Sequence, residues 1–378
     1  MNSKERIETA LRLEVPDRVP TFPLMILFPA RHAGIPLARF LEDQESYNQA
    51  TEKTFDDLGG WDGVMATGKV DYISLAFLHT MKAKFPGRDL SPNAVYQLVE
   101  EPIMEIEDYD LLIREGWPTL QTEILSRIRP EFFPKGPWLR EKVGEAQVAL
   151  IAAIQRDIAR WREKGAEPLF GGITKGPVTR LSEFRSLEEF SLDLYRRPDH
   201  VLAALEALTE GAIEEAKGMA AATGIRRIFI GEVRSSETFL SPRHFERFSF
   251  PFIKRIVDSL AAEGITAILH LDSKWTRYLH YFRDLPRGQC AAMFDGQTDI
   301  FRAKEVLGDH LCLFGDVPAS LLTLGNPEEV QGYTRRLISE VGRGGGFILC
   351  TGCELPFNAR EENVRAMLDT AKEYGAYA

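Results

Sequence analysis

A (β/α)8 TIM barrel with an N-terminal extension is the fold class this sequence predicts, and three observations predict it. Short apolar runs of four to six residues recur through the second half of the chain, and stretches of helical length with one apolar face separate them. The runs are apolar along their whole length instead of alternating. Segments that short are read as strands, and unbroken apolarity marks parallel strands covered on both faces.

In chain order, Met1–Leu13 reads as a helix, Phe22–Phe28 as a strand, Leu37–Leu58 as a helix and Gly63–Ala66 as a strand. The stretch Phe77–Gly116 is an excursion from the repeat. Gly144–Lys164 is a helix, Pro168–Ile173 a strand and His200–Ala222 a helix. From there the alternation is regular. Strands Arg227–Gly231, Thr266–Leu271, Ala291–Phe294, Leu311–Gly315 and Phe347–Thr351 are separated by helices Pro242–Glu263, Asp299–Leu307 and Asn326–Val341, and Ala359–Tyr374 follows the last strand. Ser241-Pro242 supplies an N-cap followed by proline at the first helical position, and Gly264, Gly308, Gly342 and Gly375 stop the helices. The total is about eight strands, which favours a barrel over an open sheet. One domain over 1–378 is expected, with 1–60 as a helical N-terminal extension.

At 378 residues, 44% apolar and 27% charged, the chain can bury a large core and has no disordered composition. A formal net charge of −10 argues against nucleic acid as a partner, since phosphate-backbone binding needs a basic surface. The charged start, MNSKERIETALRLEVPDRVP, lacks the apolar core expected of a signal peptide, and no apolar run reaches membrane-spanning length. A cytoplasmic protein with no membrane partner is the expectation. Cys290 and Cys312 open apolar runs and read as core residues.

Barrel chemistry gathers where strands end. The polar residues closing the apolar runs are Glu232, His270, Asp272, Asp295, Asp316, Cys350 and Cys353. Taken singly, a strand-end acid often caps the next helix, and a lone histidine is often a bonded core residue. Together they suggest a site. His270-x-Asp272 puts two side chains on one strand face, Cys353 adds a soft thiolate and Glu232 a carboxylate. Three or four such ligands are what a catalytic zinc takes, so Glu232, His270, Asp272 and Cys353 are the candidate metal ligands. Cys350, three residues back on the strand, is expected to face elsewhere, although a Cys-x-x-Cys chelate stays open. Among aromatic residues near the strand ends, Phe28 and Trp275 are candidates to sandwich a planar ligand.

Several segments resemble the uroporphyrinogen decarboxylase superfamily. They are Asp-Arg-Val-Pro near the start, Gly-Asp-Val-Pro-Ala at 315–319, Asn-Pro-Glu-Glu-Val at 326–330, and Gly-Gly-Phe-Ile-Leu-Cys-Thr-Gly-Cys followed by Glu-Glu-Asn-Val-Arg-Ala-Met. The resemblance implies a barrel and two lines of activity. Its decarboxylases hold substrate carboxylates with two arginines of an N-terminal loop. Arg31 matches the first, as a substrate-binding residue, but Ile35 stands at the second, which counts against that reaction. Its thiol-directed methyltransferases use His-x-Cys and a later Cys as zinc ligands; His270 and Cys353 match, and Asp272 departs.

Phe85-Pro86-Gly87-Arg88 and 99–110 look more like the branch that demethylates methoxylated compounds. That resemblance implies a corrinoid-dependent methyltransferase of O-demethylase systems. It would move a methyl group from a methoxylated, aromatic small-molecule donor to a Co(I) corrinoid. Zinc activates the oxygen in this reading, with Glu232, Asp295 and Asp316 as catalytic residues, either aspartate orienting His270 or the substrate. The chain has no Asp-x-His-x-x-Gly fingerprint, so the cobalamin-type cofactor is expected on a partner corrinoid protein. The alternatives are a methylcobamide:thiol methyltransferase, a uroporphyrinogen decarboxylase and a non-catalytic binding barrel. Oligomeric state is open, a homodimer included.

Overall fold

The computed structural model describes residues 1–68, 71–79 and 81–377; residue 80 of the excursion Phe77–Gly116 lies outside them. The strands are β1 (Thr21–Phe22), β2 (Gly63–Val64), β3 (Lys82–Lys84), β4 (Gln97–Val99), β5 (Glu167–Pro168), β6 (Gly172–Lys175), β7 (Arg227–Glu232), β8 (Thr266–Leu271), β9 (Cys290–Phe294), β10 (Cys312–Val317) and β11 (Phe347–Thr351). Among the described residues one sheet has seven strands in the order β1-β11-β10-β9-β8-β7-β6, all parallel. The strand β2 pairs instead with β5, in a parallel ladder of its own, and β3 with β4 forms an antiparallel hairpin. The architecture is barrel-like, a curled parallel sheet with helices outside.

The second half follows the alternation read from sequence, and its caps explain why. Ser241 accepts the amide of His244, Asp299 those of Phe301 and Arg302, and Asn326 with Glu329 forms a capping box. The expected helix Pro242–Glu263 is two helices, Pro242–Phe248 and Phe250–Ala262, divided at Ser249 ahead of Pro251. The expected strand Phe22–Phe28 is corrected more severely. Only Thr21–Phe22 is strand, and Phe28–His32 is a short helix, because Pro23 interrupts the run and Pro29 sits in a helical first turn. Thus the N-terminal 60 residues are mostly helical but contribute β1 to the sheet. The strand expected at Pro168–Ile173 is likewise two pieces, β5 and β6, with β6 continuing to Lys175.

Alternate residues along the strands divide the core. Ala267, Leu269, Leu271, Leu313 and Leu349 join the large cluster shared with the outer helices. Their neighbours Ile268, Met293, Phe314, Ile348 and Cys350 join a second cluster with Phe22 and Phe170, which fills the inside of the curl. A third cluster, including Leu27, Phe40, Tyr72 and Phe85, builds a cap from the N-terminal helices and the β3–β4 excursion. No helix among the described residues is long and apolar enough to cross a membrane.

Candidate functional site

His270 is the next inward-facing residue after Ile268 on β8, and Asp272 follows two residues on, just beyond the strand. Cys353 arrives from the turn after β11. The three meet. His270 Nε2 lies 2.9 Å from Asp272 Oδ1 and 3.5 Å from Cys353 Sγ, and the ligand atoms of all three lie within 4.8 Å of one another. His270 is buried, and its ring packs on that of Phe229 at 5.0 Å. Burial alone would lower the imidazole pKa, but the Asp272 carboxylate and the Cys353 sulfur outweigh it and push it up to about 10. A cation is therefore favoured at the point where these groups converge. Nitrogen, oxygen and sulfur donors in that arrangement fit zinc with a coordination position to spare.

Glu232, the fourth candidate ligand, stands outside this group. On β7, its neighbour Gly231 is in register with His270. Its Oε2 accepts the hydroxyl of Ser235 at 2.6 Å, and Oε1 has no hydrogen-bond partner among the described residues. Fully buried, the carboxyl has its pKa pushed up by desolvation to about 8, so it carries its proton at neutral pH. A Cβ at Gly176 would stand 1.8 Å from Oε1, so this carboxyl is shelved against a position only glycine can occupy.

The two aspartates do not orient His270. Its Nδ1 is buried without a hydrogen-bond partner among the described residues. Asp295 instead accepts the amides of Ser273 at 2.7 Å and Gln297 at 2.8 Å, which fixes the turn directly after Asp272. Asp316 accepts the hydroxyl of Tyr333, on the covering helix Pro327–Arg336, at 2.7 Å. Burial, partly offset by Tyr333, raises the Asp316 pKa to about 7.

The expected substrate-binding aromatics are corrected too. Trp275 is fully buried between Phe245 and Phe282, and its indole N–H donates to the backbone carbonyl of Asp272 at 2.7 Å. Phe28 is buried in the large cluster against the ring of His32. Both are packing residues because burial leaves no face for a ligand, although Trp275 also steadies a candidate ligand's backbone. Arg31 donates to the carbonyls of Phe357 at 3.4 Å and Ala359 at 3.0 Å, so its guanidinium is already engaged. Cys350 faces the inner cluster with Cys312, as expected.

Some polar residues here were not expected from sequence. Lys175, at the end of β6, is buried with its Nζ at 2.7 and 2.6 Å from the Glu183 carboxylate oxygens. Burial, and then the charge of Lys175, hold the His79 pKa down to about 3 and keep that ring neutral. The strand-end rule finds Lys175 once β6 is carried two residues past Ile173.

A cavity of about 310 Å3 opens between β6 and the helices Leu139–Glu163 and Pro198–Thr223. Phe77, Tyr96, Ile154, Phe170, Ile173 and Met219 give it a largely apolar wall, and Gln121, Gln147 and Glu215 are polar points in it. None of the three converging ligands lines it. Phe170, in its wall, packs on Phe229 at 5.1 Å, and Phe229 in turn packs on His270.

Comparison with known proteins adds the family. Residues 145–374 match the model of the uroporphyrinogen decarboxylase (URO-D) family, well over half the chain. The chain belongs to that family. Among its curated relatives are the methylcobamide:CoM methyltransferase MtaA of Methanosarcina barkeri, 28% identical over 234 residues, and MtbA of Methanosarcina mazei, 25% identical over 207. These matches cover 60% and 55% of this chain but only 65% and 58% of the relatives' own length. A uroporphyrinogen decarboxylase of Methylococcus capsulatus is 25% identical over 238 residues, 61% of this chain and 66% of its own. A solved methyltransferase from Methanosarcina mazei superposes over 99% of both chains with a TM-score of 0.70 at 20% identity, which speaks for the fold. These relatives are named as enzymes of two kinds, methyltransferases and a decarboxylase.

Proposed function

We propose that this protein is a metal-assisted, corrinoid-dependent methyltransferase that takes a methyl group from a methoxylated aromatic compound and passes it to the Co(I) corrinoid of a partner protein. The observation that carries this reading is the convergence of His270 Nε2, Asp272 Oδ1 and Cys353 Sγ within 4.8 Å. His270, Asp272 and Cys353 would hold a zinc ion, which when bound supplies a Lewis acid for the ether oxygen. Two of the three donors are hard or borderline, a set suited to an oxygen more than to a second sulfur.

The chain's own residues would do the rest. Asp295 and Trp275 hold the Asp272 turn in place. The apolar cavity would seat the ring and keep water from it. Its volume is ample for one aromatic ring with substituents, since about 150 Å3 suffices for benzene in an engineered apolar site. Glu232, protonated and with Oε1 unpartnered among the described residues, is fully buried and lines neither the cavity nor the metal group, so it would act as a proton reserve behind the site and not touch the departing oxygen itself. The balance is ether, Co(I) and one proton giving phenol and methyl-Co(III). The same reading takes 1–378 as one cytoplasmic barrel domain, with β2–β5 closing the ring between β1 and β6. The 3.2 Å bond from the Asp62 amide to the Thr21 carbonyl supports that closure.

The test follows the corrinoid spectrum while a methoxylated aromatic compound consumes Co(I), alongside zinc analysis of the purified protein. About one zinc per chain and formation of methyl-Co(III) with free phenol are expected. Asp272→Cys should keep zinc but turn over the ether more slowly. A second reading, methyl transfer from methylcobamide to a thiol, is favoured by the names of the relatives MtaA and MtbA. It has its own arm: turnover only when methyl-Co(III) is offered with a thiol would replace the first reading by the second.

A further inference from the structure

Arg129 ends the helix Trp117–Ile128 and is 4% exposed, yet it makes no ion pair among the described residues. Among the described residues the one hydrogen bond of its side chain runs from Nη1 to the neighbouring carbonyl of Ile128 at 2.6 Å, and its Nε is buried without a partner. The guanidinium lies over the ring of Phe85, 4.7 Å from its centroid. Around the same aromatic floor, Arg88 lies 3.8 Å over Tyr72 and 5.4 Å over Phe132, and Tyr72 meets Phe85 edge to face at 4.6 Å. Arg88 is exposed and likewise has no ion pair among the described residues.

Two guanidinium groups thus share one aromatic nest. Burial, reinforced by the charge of Arg88, lowers the Arg129 pKa even though Glu131 and Asp89 act against it. Asp89 spends one carboxylate oxygen on the amide of Phe85 at 3.0 Å. A buried guanidinium whose counter-charges stop short of a direct ion pair is costly, and ring faces return only part of that cost. With Nη1 held by Ile128, the Nε edge of its planar fork is the one left to receive a bidentate oxyanion. The position is suggestive: Phe85 packs near Tyr96 at 6.5 Å, and Tyr96 lines the apolar cavity.

We propose that Arg88 and Arg129 form an oxyanion site at the edge of the cap, which takes a carboxylate or phosphate group of a ligand bound beside the cavity. The site stands on its own geometry, whatever the metal cluster does. Two sources carry the chemistry: a carboxyl substituent on a small aromatic ligand, and the phosphodiester of a cobamide's nucleotide loop. Calorimetric titration of the full-length protein with benzoate, with inorganic phosphate, and with cobalamin against cobinamide, which lacks the phosphodiester, separates them.

Saturable binding of benzoate, or of cobalamin in preference to cobinamide, is expected. Arg88→Ala should weaken it about tenfold or more, the loss of one charge-assisted bond, and Arg129→Lys less than Arg129→Gln. Arg88 is exposed, so its variant folds even where the Arg129 variants fail. If Arg88→Ala leaves every affinity within about twofold of the parent, or if none of the probes binds, the pair is a packing device and the proposal falls.

Discussion

The two halves of the molecule carry different kinds of polar residue. In the regular half, β8 and the turn after β11 bring His270, Asp272 and Cys353 together, and the backbone around them is held by Asp295 and Trp275. In the irregular half, the cap and the first strands build the apolar cavity and the two arginines on aromatic rings, but none of the converging ligands. On the proposed reading the reacting groups would sit at the ends of long, mutually paired strands, and recognition would fall to helices and loops, which can change shape without moving them.

Several substitutions would break that division. The largest effect is expected from Cys353→Ala, which should lose most of the metal and at least about a hundredfold of activity, while Cys290→Ala keeps both. Metal analysis and the corrinoid assay read it, and full metal in both variants would mean that the site is misassigned. Trp275→Ala comes next. Loss of a fully buried indole should cost about 3–5 kcal/mol in denaturant unfolding, whereas a ligand-stacking role would instead raise KM with stability near the parent's. Gly218, on the helix Pro198–Thr223, lines the cavity and has open space where a Cβ would be. Gly218→Leu should raise KM for the aromatic donor roughly tenfold. It should leave zinc unchanged and improve stability by up to about 1 kcal/mol. An unchanged KM would remove the cavity from the reaction.

The smallest effect belongs to Asp316, whose carboxyl the structure assigns to Tyr333. Its folded pKa of about 7 lies above the ordinary 3.8, so the folded state binds the proton more tightly. The stability this contributes is complete below about pH 3.8 and lost as pH rises through about 7. Asp316→Asn should flatten that decline in urea titrations while kcat stays within about threefold of the parent. A collapse in kcat would return Asp316 to the catalytic set.

The same division explains what could be read from sequence. Strands β7 to β11 run five or six residues, long enough for apolar patterning to register, and the strand-end rule then picked out His270, Asp272 and Cys353. By contrast β1, β2 and β5 are two residues each, below the reach of any periodicity. Apolar composition also cannot separate an aromatic ring that packs from one that binds, so it does not show that the fold buries Phe28 and Trp275. Nor does sequence show that Arg129 is buried. Charged residues are ordinarily outside, and only the fold reveals the exception.

The filled interior of the curl has a kinetic consequence. Phe22, Phe170, Met293, Phe314, Ile348 and Cys350 are buried against one another there, so no molecule can traverse the axis. If a bulky corrinoid partner covers the strand ends, a donor sharing that entrance must always arrive first and its product leave last. A donor admitted through the cleft between the helices Leu139–Glu163 and Pro198–Thr223 need not wait. Initial-rate patterns would distinguish the two, compulsory order for the shared entrance and random order for the cleft.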